Sequence, residues 1–200
     1  MLLGPSDPLP VRPRRILVTG CSGAGKSTLG RSLETRLGLP YIELDGLYHG
    51  PGWVPRPEFA ADVAALAAGE EWITEYGYSL ARPLVLPRAE LLVWLDLPRA
   101  TVMRQVVPRT VARRVRRQEL WNGNVEPPFR EFLTDPDHIV RWAWRTHGEV
   151  AVRVAQARER RPALPVVRLR SRREVRRWLG GPVAALAPGD ARTTEHTGNH

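Results

Sequence analysis

The stretch Arg15-Ile16-Leu17-Val18-Thr19-Gly20-Cys21-Ser22-Gly23-Ala24-Gly25-Lys26-Ser27-Thr28-Leu29 constrains the fold more than any other. An apolar run of the length of one buried strand ends at Gly20. A glycine-rich loop follows. Apolar residues then return at helical spacing, Leu29, Leu33 and Leu37, with Gly38 placed as a C-cap. Strand, tight loop and helix in this order open an α/β unit.

The loop satisfies G-x-x-x-x-G-K-[ST] with Gly20, Gly25, Lys26 and Ser27. Gly20, Gly23 and Gly25 permit positive φ and close approach, so consecutive backbone N–H groups can cradle an anion. The helix beginning near Lys26 adds its positive dipole end. Lys26 reaches outer phosphates as a point charge, and the Ser27 hydroxyl suits magnesium. The nucleotide-binding set is thus Gly20, Cys21, Ser22, Gly23, Ala24, Gly25, Lys26, Ser27 and Thr28. Lys26 is the only lysine in a chain with Lys+Arg 30. A loop that closes around phosphate takes a compact ammonium on a flexible stem, and a planar guanidinium fits it poorly. Cys21 reads as a space-filling position of the loop, with redox sensitivity as the lesser alternative.

Strand-like and helix-like segments alternate beyond the loop. Strands are expected at 41–44 ending at Asp45, at 72–74 ending at Glu75, at 91–95 ending at Asp96, and at 165–169. Helices are expected at 58–68, stopped by Gly69, and after Ser171, which forms a capping box with Glu174. The region 99–160 reads as mostly helical, interrupted by WNGNVEPP. Such alternation predicts a parallel sheet covered on both faces, with ligands beyond the carboxyl ends of its strands. Gly20, Asp45, Glu75 and Asp96 fall at those ends.

Residues 1–13 hold four prolines and no periodicity, which predicts a flexible arm. Residues 182–200 read as a disordered tail, leaving one domain over 14–181. The single cysteine excludes an internal disulfide and fits a reducing compartment. No apolar run of about 18 residues is present, and the first residues do not make a signal peptide. The cytoplasm is the expected location. A net charge of +9 admits phosphate-bearing partners, nucleic acid included, although no nucleic-acid-binding motif supports the latter.

VTGCSGAGKSTLGRSLETRLGLPYIELD resembles the start of the small P-loop kinases of the adenylate, shikimate and gluconate kinase group. LDGLYHGPGW, EWITEYGYS and LVWLDLP resemble, more narrowly, the adenylate-kinase-like proteins labelled "DNA topology modulation protein". The resemblance covers residues 14–180. It implies a P-loop NTPase three-layer fold, a five-stranded parallel sheet of order 2-3-1-4-5, and an Arg-rich lid over about 104–130. It implies Mg2+ with ATP as phosphoryl donor, and a small acceptor, either a nucleoside monophosphate or a hydroxyl metabolite. It also implies that Asp45 faces the acceptor. In these kinases an aspartate ending the third strand helps hold magnesium; the matching position here is Glu75, followed by Tyr76, which departs from the usual Asp-Gly.

Two regions match the lid and acceptor regions by position. Arg109, Arg113 and Arg117 recur every four residues on one helical face, and as lid residues they would neutralise charge on a transferring phosphoryl group. A solvated basic face is the alternative. On the lid reading Val111 and Val115 form a second face able to pack on the domain. Arg141 and Arg145 form another spaced pair. Trp53 either stacks on a substrate ring or packs as core. Asp96 is as well explained by a helix cap as by chemistry. The catalytic candidates are therefore Lys26, Arg109, Arg113 and Arg117, the acceptor candidates Asp45, Trp53 and Arg145, and the metal candidates Ser27 and Glu75. A phosphotransferase accounts for the motifs best, with a nucleotide-dependent nucleic-acid-binding regulator as the rival.

Overall fold

The structure is a computed structural model, which describes residues 1–116, 119–125, 144 and 146–186. Its strands are β1 (Leu2–Leu3), β2 (Arg15–Gly20), β3 (Tyr41–Ile42), β4 (Trp72–Glu75), β5 (Leu91–Leu95) and β6 (Val166–Leu169). They form one sheet in the order β1-β6-β5-β2-β4-β3, every neighbouring pair parallel. Without β1 this is the expected 2-3-1-4-5 order. β2 lies in the interior, in register with β4 from Arg15↔Trp72 to Val18↔Glu75 and with β5 from Ile16↔Leu91 to Gly20↔Leu95. Successive residues Ile16, Leu17 and Val18 are all 0% exposed. Both faces of the strand are therefore covered, as its unbroken apolar run predicts.

The helices are α1 (Lys26–Leu37), α2 (Leu44–Tyr48), α3 (Phe59–Ala68), α4 (Arg82–Val85), α5 (Arg99–Val115), α6 (Glu149–Arg160) and α7 (Arg172–Trp178). α1 buries Leu29, Leu33 and Leu37, and Gly38 closes it at φ 71 with its N–H on the Glu34 carbonyl. α7 begins as predicted: Ser171 Oγ accepts from the Glu174 N–H at 3.1 Å, and the Glu174 carboxylate accepts from the Arg170 N–H at 2.7 Å.

Four expectations are corrected. The sheet has six strands among the described residues, because the N-terminal segment is not wholly a loose arm. Leu2 and Leu3 pair with Val166 and Val167, the Val166 N–H reaches the Met1 carbonyl, and Leu3 is buried. An edge strand needs only two apolar residues to satisfy the open edge of β6, which the prolines farther along do not prevent. The second predicted strand stops at Ile42, and LDGLY turns into α2 instead, burying Leu44. Asp45 thus sits in the first turn of a helix rather than at a strand end. The tail begins later than residue 182, since Val183 is buried and Leu186 packs on the core; residues 187–200 lie outside the described residues. Finally, the segment assigned to a lid from about 104 starts as packed helix. α5 buries Val102, Val106 and Thr110 at spacing four, whereas Val111 and Val115 are 38% and 69% exposed. The buried valines lie on the face that meets the loop after β2, and the other two point away from it. Residues 117, 118 and 126–130 of that segment lie outside the described residues.

Candidate active site

β2 delivers the chain to the glycine loop at the carboxyl end of the sheet. Each glycine there has a separate reason. A Cβ on Gly20 would stand 3.0 Å from Leu95 Cβ and 3.2 Å from the Leu95 carbonyl oxygen on the adjacent strand. Gly23, at φ 82, lies under α5, where a Cβ would stand 2.8 Å from Val106 Cβ. Gly25 caps α1 at φ 95, in the left-handed region. The Ala24 N–H bonds the Cys21 carbonyl at 3.0 Å and closes the turn. No side chain caps the N-terminus of α1, and its first turn has no acidic residue. The exposed N–H groups and positive dipole end are thus left for an anion.

Lys26 makes no ion pair or hydrogen bond among the described residues. Its charge nonetheless acts on Glu75 and on Cys21. Glu75 ends β4 beside β2, in register with Val18, and is 5% exposed. Burial pushes its carboxyl above the ordinary range, Lys26 opposes this, and Asp45 adds to it. The Tyr41 hydroxyl donates to Glu75 Oε1 at 3.2 Å. Ser27 neighbours the same phenol, whose acidity is suppressed by burial and then by Glu75. The Tyr41 ring occupies the space over Gly30, where any Cβ would collide with it. Ser27, Lys26, Tyr41 and Glu75 therefore form one cluster built from three elements, and both metal candidates belong to it.

Asp45 lies at the rim of this cluster. The Tyr78 hydroxyl donates to its Oδ1 at 2.6 Å, and Oδ2 has no partner among the described residues. Burial, and then Asp45, keeps the Tyr78 phenol protonated far above its ordinary range, so it stays a donor. His49 Nε2 lies 3.4 Å from the same hydroxyl. Tyr48, Tyr78 and Phe59 pack ring on ring around it, at centroid separations of 4.5 to 5.2 Å.

The segment 119–125 closes over the loop that carries these residues. Trp121 Nε1 donates to Glu43 Oε2 at 2.8 Å, and its ring lies against Gly46. Asn122 donates to the carbonyls of Gly46 and His49. Buried Asn124 donates to the Gly50 carbonyl at 2.9 Å and accepts from the Trp53 N–H at 3.0 Å. Trp53 Nε1 donates to the Val125 carbonyl at 3.2 Å, and its ring stands 5.0 Å from His49. Trp53 thus fastens two segments together while its ring edges the His49 side of the site.

The remaining candidates divide. Arg113 lies seven residues beyond Val106, about 20° away around the helix and about 10 Å along it. Its side chain therefore starts on the face that meets the glycine loop. Arg109 is half-buried one turn earlier. Arg117, Arg141 and Arg145 lie outside the described residues. Asp96 is bound by Arg168, at 2.7 Å from Nε and 2.5 Å from Nη2, and Arg168 also lies over the Trp94 ring. Cys21 is buried, with its thiol pushed up by that burial, which fits filling space better than redox sensing. Sequence reasoning missed Tyr41, Tyr78, Glu43, Trp121 and Asn124. The polar WNGN string between helical segments was the one available signal for the last two.

No family model matches the sequence, and no curated protein does. Solved structures do align with it. A gluconokinase from Sinorhizobium meliloti 1021 is 21% identical at a TM-score of 0.47, covering 88% of this chain and 94% of its own. A shikimate kinase from Bacteroides thetaiotaomicron is 16% identical at 0.47, covering 84% and 95%. A shikimate kinase from Acinetobacter baumannii in complex with shikimate is 15% identical at 0.49, covering 86% and 88%. Nothing in these comparisons supports the narrower likeness to DNA topology modulation proteins. No helix among the described residues is long and apolar enough to cross a membrane.

Proposed function

We propose that this protein is a P-loop phosphotransferase that moves the γ-phosphoryl group of ATP to the hydroxyl of a small acceptor. The observation that carries the reading is the glycine-bent, uncapped start of α1, with Lys26, unpaired among the described residues, beside it and the buried Glu75 across from it. In this reading residues 20–28 hold the polyphosphate and Lys26 bears on its outer oxygens. The residues present fit a magnesium ion: a hydroxyl, Ser27, and a buried carboxylate, Glu75, whose Oε2 has no partner among the described residues. When bound, the metal neutralises charge between the outer phosphates.

Asp45 Oδ2 faces the acceptor and takes the proton of the attacking hydroxyl, while Tyr78 holds the carboxylate by its other oxygen. Arg109 and Arg113 supply positive charge from α5 as the transition state forms, and Arg117 is assigned with them from sequence alone. Trp53 borders the acceptor, and Arg145 is assigned to it from sequence alone. ATP and the acceptor are the partners, and the cytoplasm is the expected location. The test is transfer of labelled phosphate from ATP to a panel of hydroxyl compounds, with the product identified by mass, for wild type and Lys26→Ala. A folded Lys26→Ala that turns over within a few-fold of wild type rejects the assignment.

A further inference from the structure

Given the phosphotransfer reading, the hydroxyl of Tyr41 has a task that packing alone does not require. Tyr41 opens β3 opposite Ile73 of β4, and Ile42 follows opposite Thr74. Alternate residues of a strand share a face, so Glu75, two beyond Ile73, lies diagonally from Tyr41 on the same side of the sheet. The start of β3 is tethered three times. The Tyr41 N–H donates to Glu34 Oε1 of α1 at 3.0 Å, and the Pro40 carbonyl accepts from the Ile73 N–H at 2.8 Å. The Thr74 hydroxyl donates to the Ile42 carbonyl at 2.8 Å. The Tyr41 ring is thereby laid against α1 over Gly30, where a Cβ would stand 2.6 Å from both Cδ2 and Cζ. Glycine inside a helix is destabilising relative to alanine, and here it leaves room for that ring. A phenylalanine would fill the same room. The added hydroxyl donates to Glu75 Oε1 at 3.2 Å, and Ser27 neighbours the same phenol oxygen. One hydroxyl therefore stands between the two residues whose oxygens suit the cation. Glu75 is also the position where this chain departs from the aspartate of the kinases it resembles. Its side chain has one more rotatable bond, and a longer carboxylate loses more freedom when it must hold one orientation.

We propose that Tyr41 is a positioning residue of the metal site: its hydroxyl holds Oε1 of Glu75 beside Ser27, so that the longer carboxylate offers its other oxygen to the magnesium of Mg-ATP, directly or through water. Gly30 belongs to the same arrangement, because a larger residue there displaces the ring.

The experiment measures ATP binding by calorimetry, in chelator and across a Mg2+ series, for the full chain and for Tyr41→Phe, Glu75→Gln and the double variant. Wild type should gain ATP affinity as Mg2+ is added. In Tyr41→Phe the Mg2+ concentration that gives half of this gain should rise roughly tenfold, as expected when a metal-binding carboxylate loses an outer hydrogen bond. Affinity in chelator should change less than twofold. Turnover should show the same shift in its Mg2+ requirement and recover as Mg2+ is raised, which a merely structural loss would not do. In the Glu75→Gln background Tyr41→Phe should cause no further loss, because the oxygen it positions no longer serves the metal. An unchanged Mg2+ requirement in Tyr41→Phe, an equal loss in chelator, or a further loss in the double variant overturns this inference and leaves the kinase reading standing. A wild type whose ATP affinity does not respond to Mg2+ overturns it together with the metal assignment to Ser27 and Glu75.

Discussion

At the residue scale the account rests on Lys26 and Glu75. Lys26→Ala should lower turnover by at least about a hundredfold, because a point charge on the outer phosphates matters most as charge develops there. Lys26→Arg should not rescue it, since the planar guanidinium does not follow the loop. Steady-state kinetics with a productive acceptor checks both. Glu75 makes a prediction of opposite sign for stability. Burial raises its carboxyl above the ordinary 4.5, so the folded protein holds that proton more tightly than the unfolded chain does. Stability is lost as pH rises through the window between 4.5 and the raised value. Glu75→Gln keeps the Tyr41 hydrogen bond and removes the buried charge. Without nucleotide it should melt higher than wild type at about pH 7, with the gain gone near about pH 4, while magnesium-dependent turnover collapses. Equal melting at both values would show that Glu75 is not strained by burial. The loop residues were legible in the sequence because glycine conformations and a helix start are local properties. Tyr41 and Tyr78 were not, since each meets its carboxylate across more than 30 residues of chain.

At the scale of elements, the loop after β3 and the segment 119–125 form one unit, and Asn124 is its pin. It serves the Trp53 N–H and the carbonyls of Gly50 and Trp121 from a buried position. Asn124→Ala should cost about 2–3 kcal/mol in chemical denaturation, because buried partners lose their bonds together. It should also raise the acceptor KM more than it lowers ATP affinity. α5 carries the second prediction. Arg113→Ala should reduce kcat at least tenfold with little change in ATP affinity, since a contact made fully only in the transition state acts on the rate. Exposed Arg116 should matter less. A loss of DNA binding at moderate salt with an unchanged rate would favour the nucleic-acid rival instead. The spacing of the arginines was readable, but the face that packs was misjudged. Val106 is held by a tertiary contact with Gly23, which no local pattern in α5 announces. The short β3 was overextended for a similar reason: Leu44 is buried from the first turn of α2, a tertiary contact that ends the strand at Ile42.

For the whole molecule, alternation made the parallel sheet legible and the resemblance to the small P-loop kinases implied its order, while the added edge strand was hidden in a proline-rich segment. Removing residues 1–11 takes β1 from the open edge of β6 and exposes the surface that Leu3 covers. The deletion should cost about 2 kcal/mol, roughly 5 °C in melting temperature. An unchanged melting temperature would show that the strand adds nothing. The active edge lies beyond the other end of the strands, around Gly20 and Glu75, so catalysis should survive at temperatures where the truncated protein stays folded. The most direct test of the central claim is mass-resolved transfer of the γ-phosphoryl group from labelled Mg-ATP to a small hydroxyl acceptor, by wild type and Lys26→Ala side by side. The account predicts a phosphorylated acceptor with wild type and essentially none with the folded variant. ATP binding without transfer to any acceptor, or equal transfer by both proteins, would contradict it.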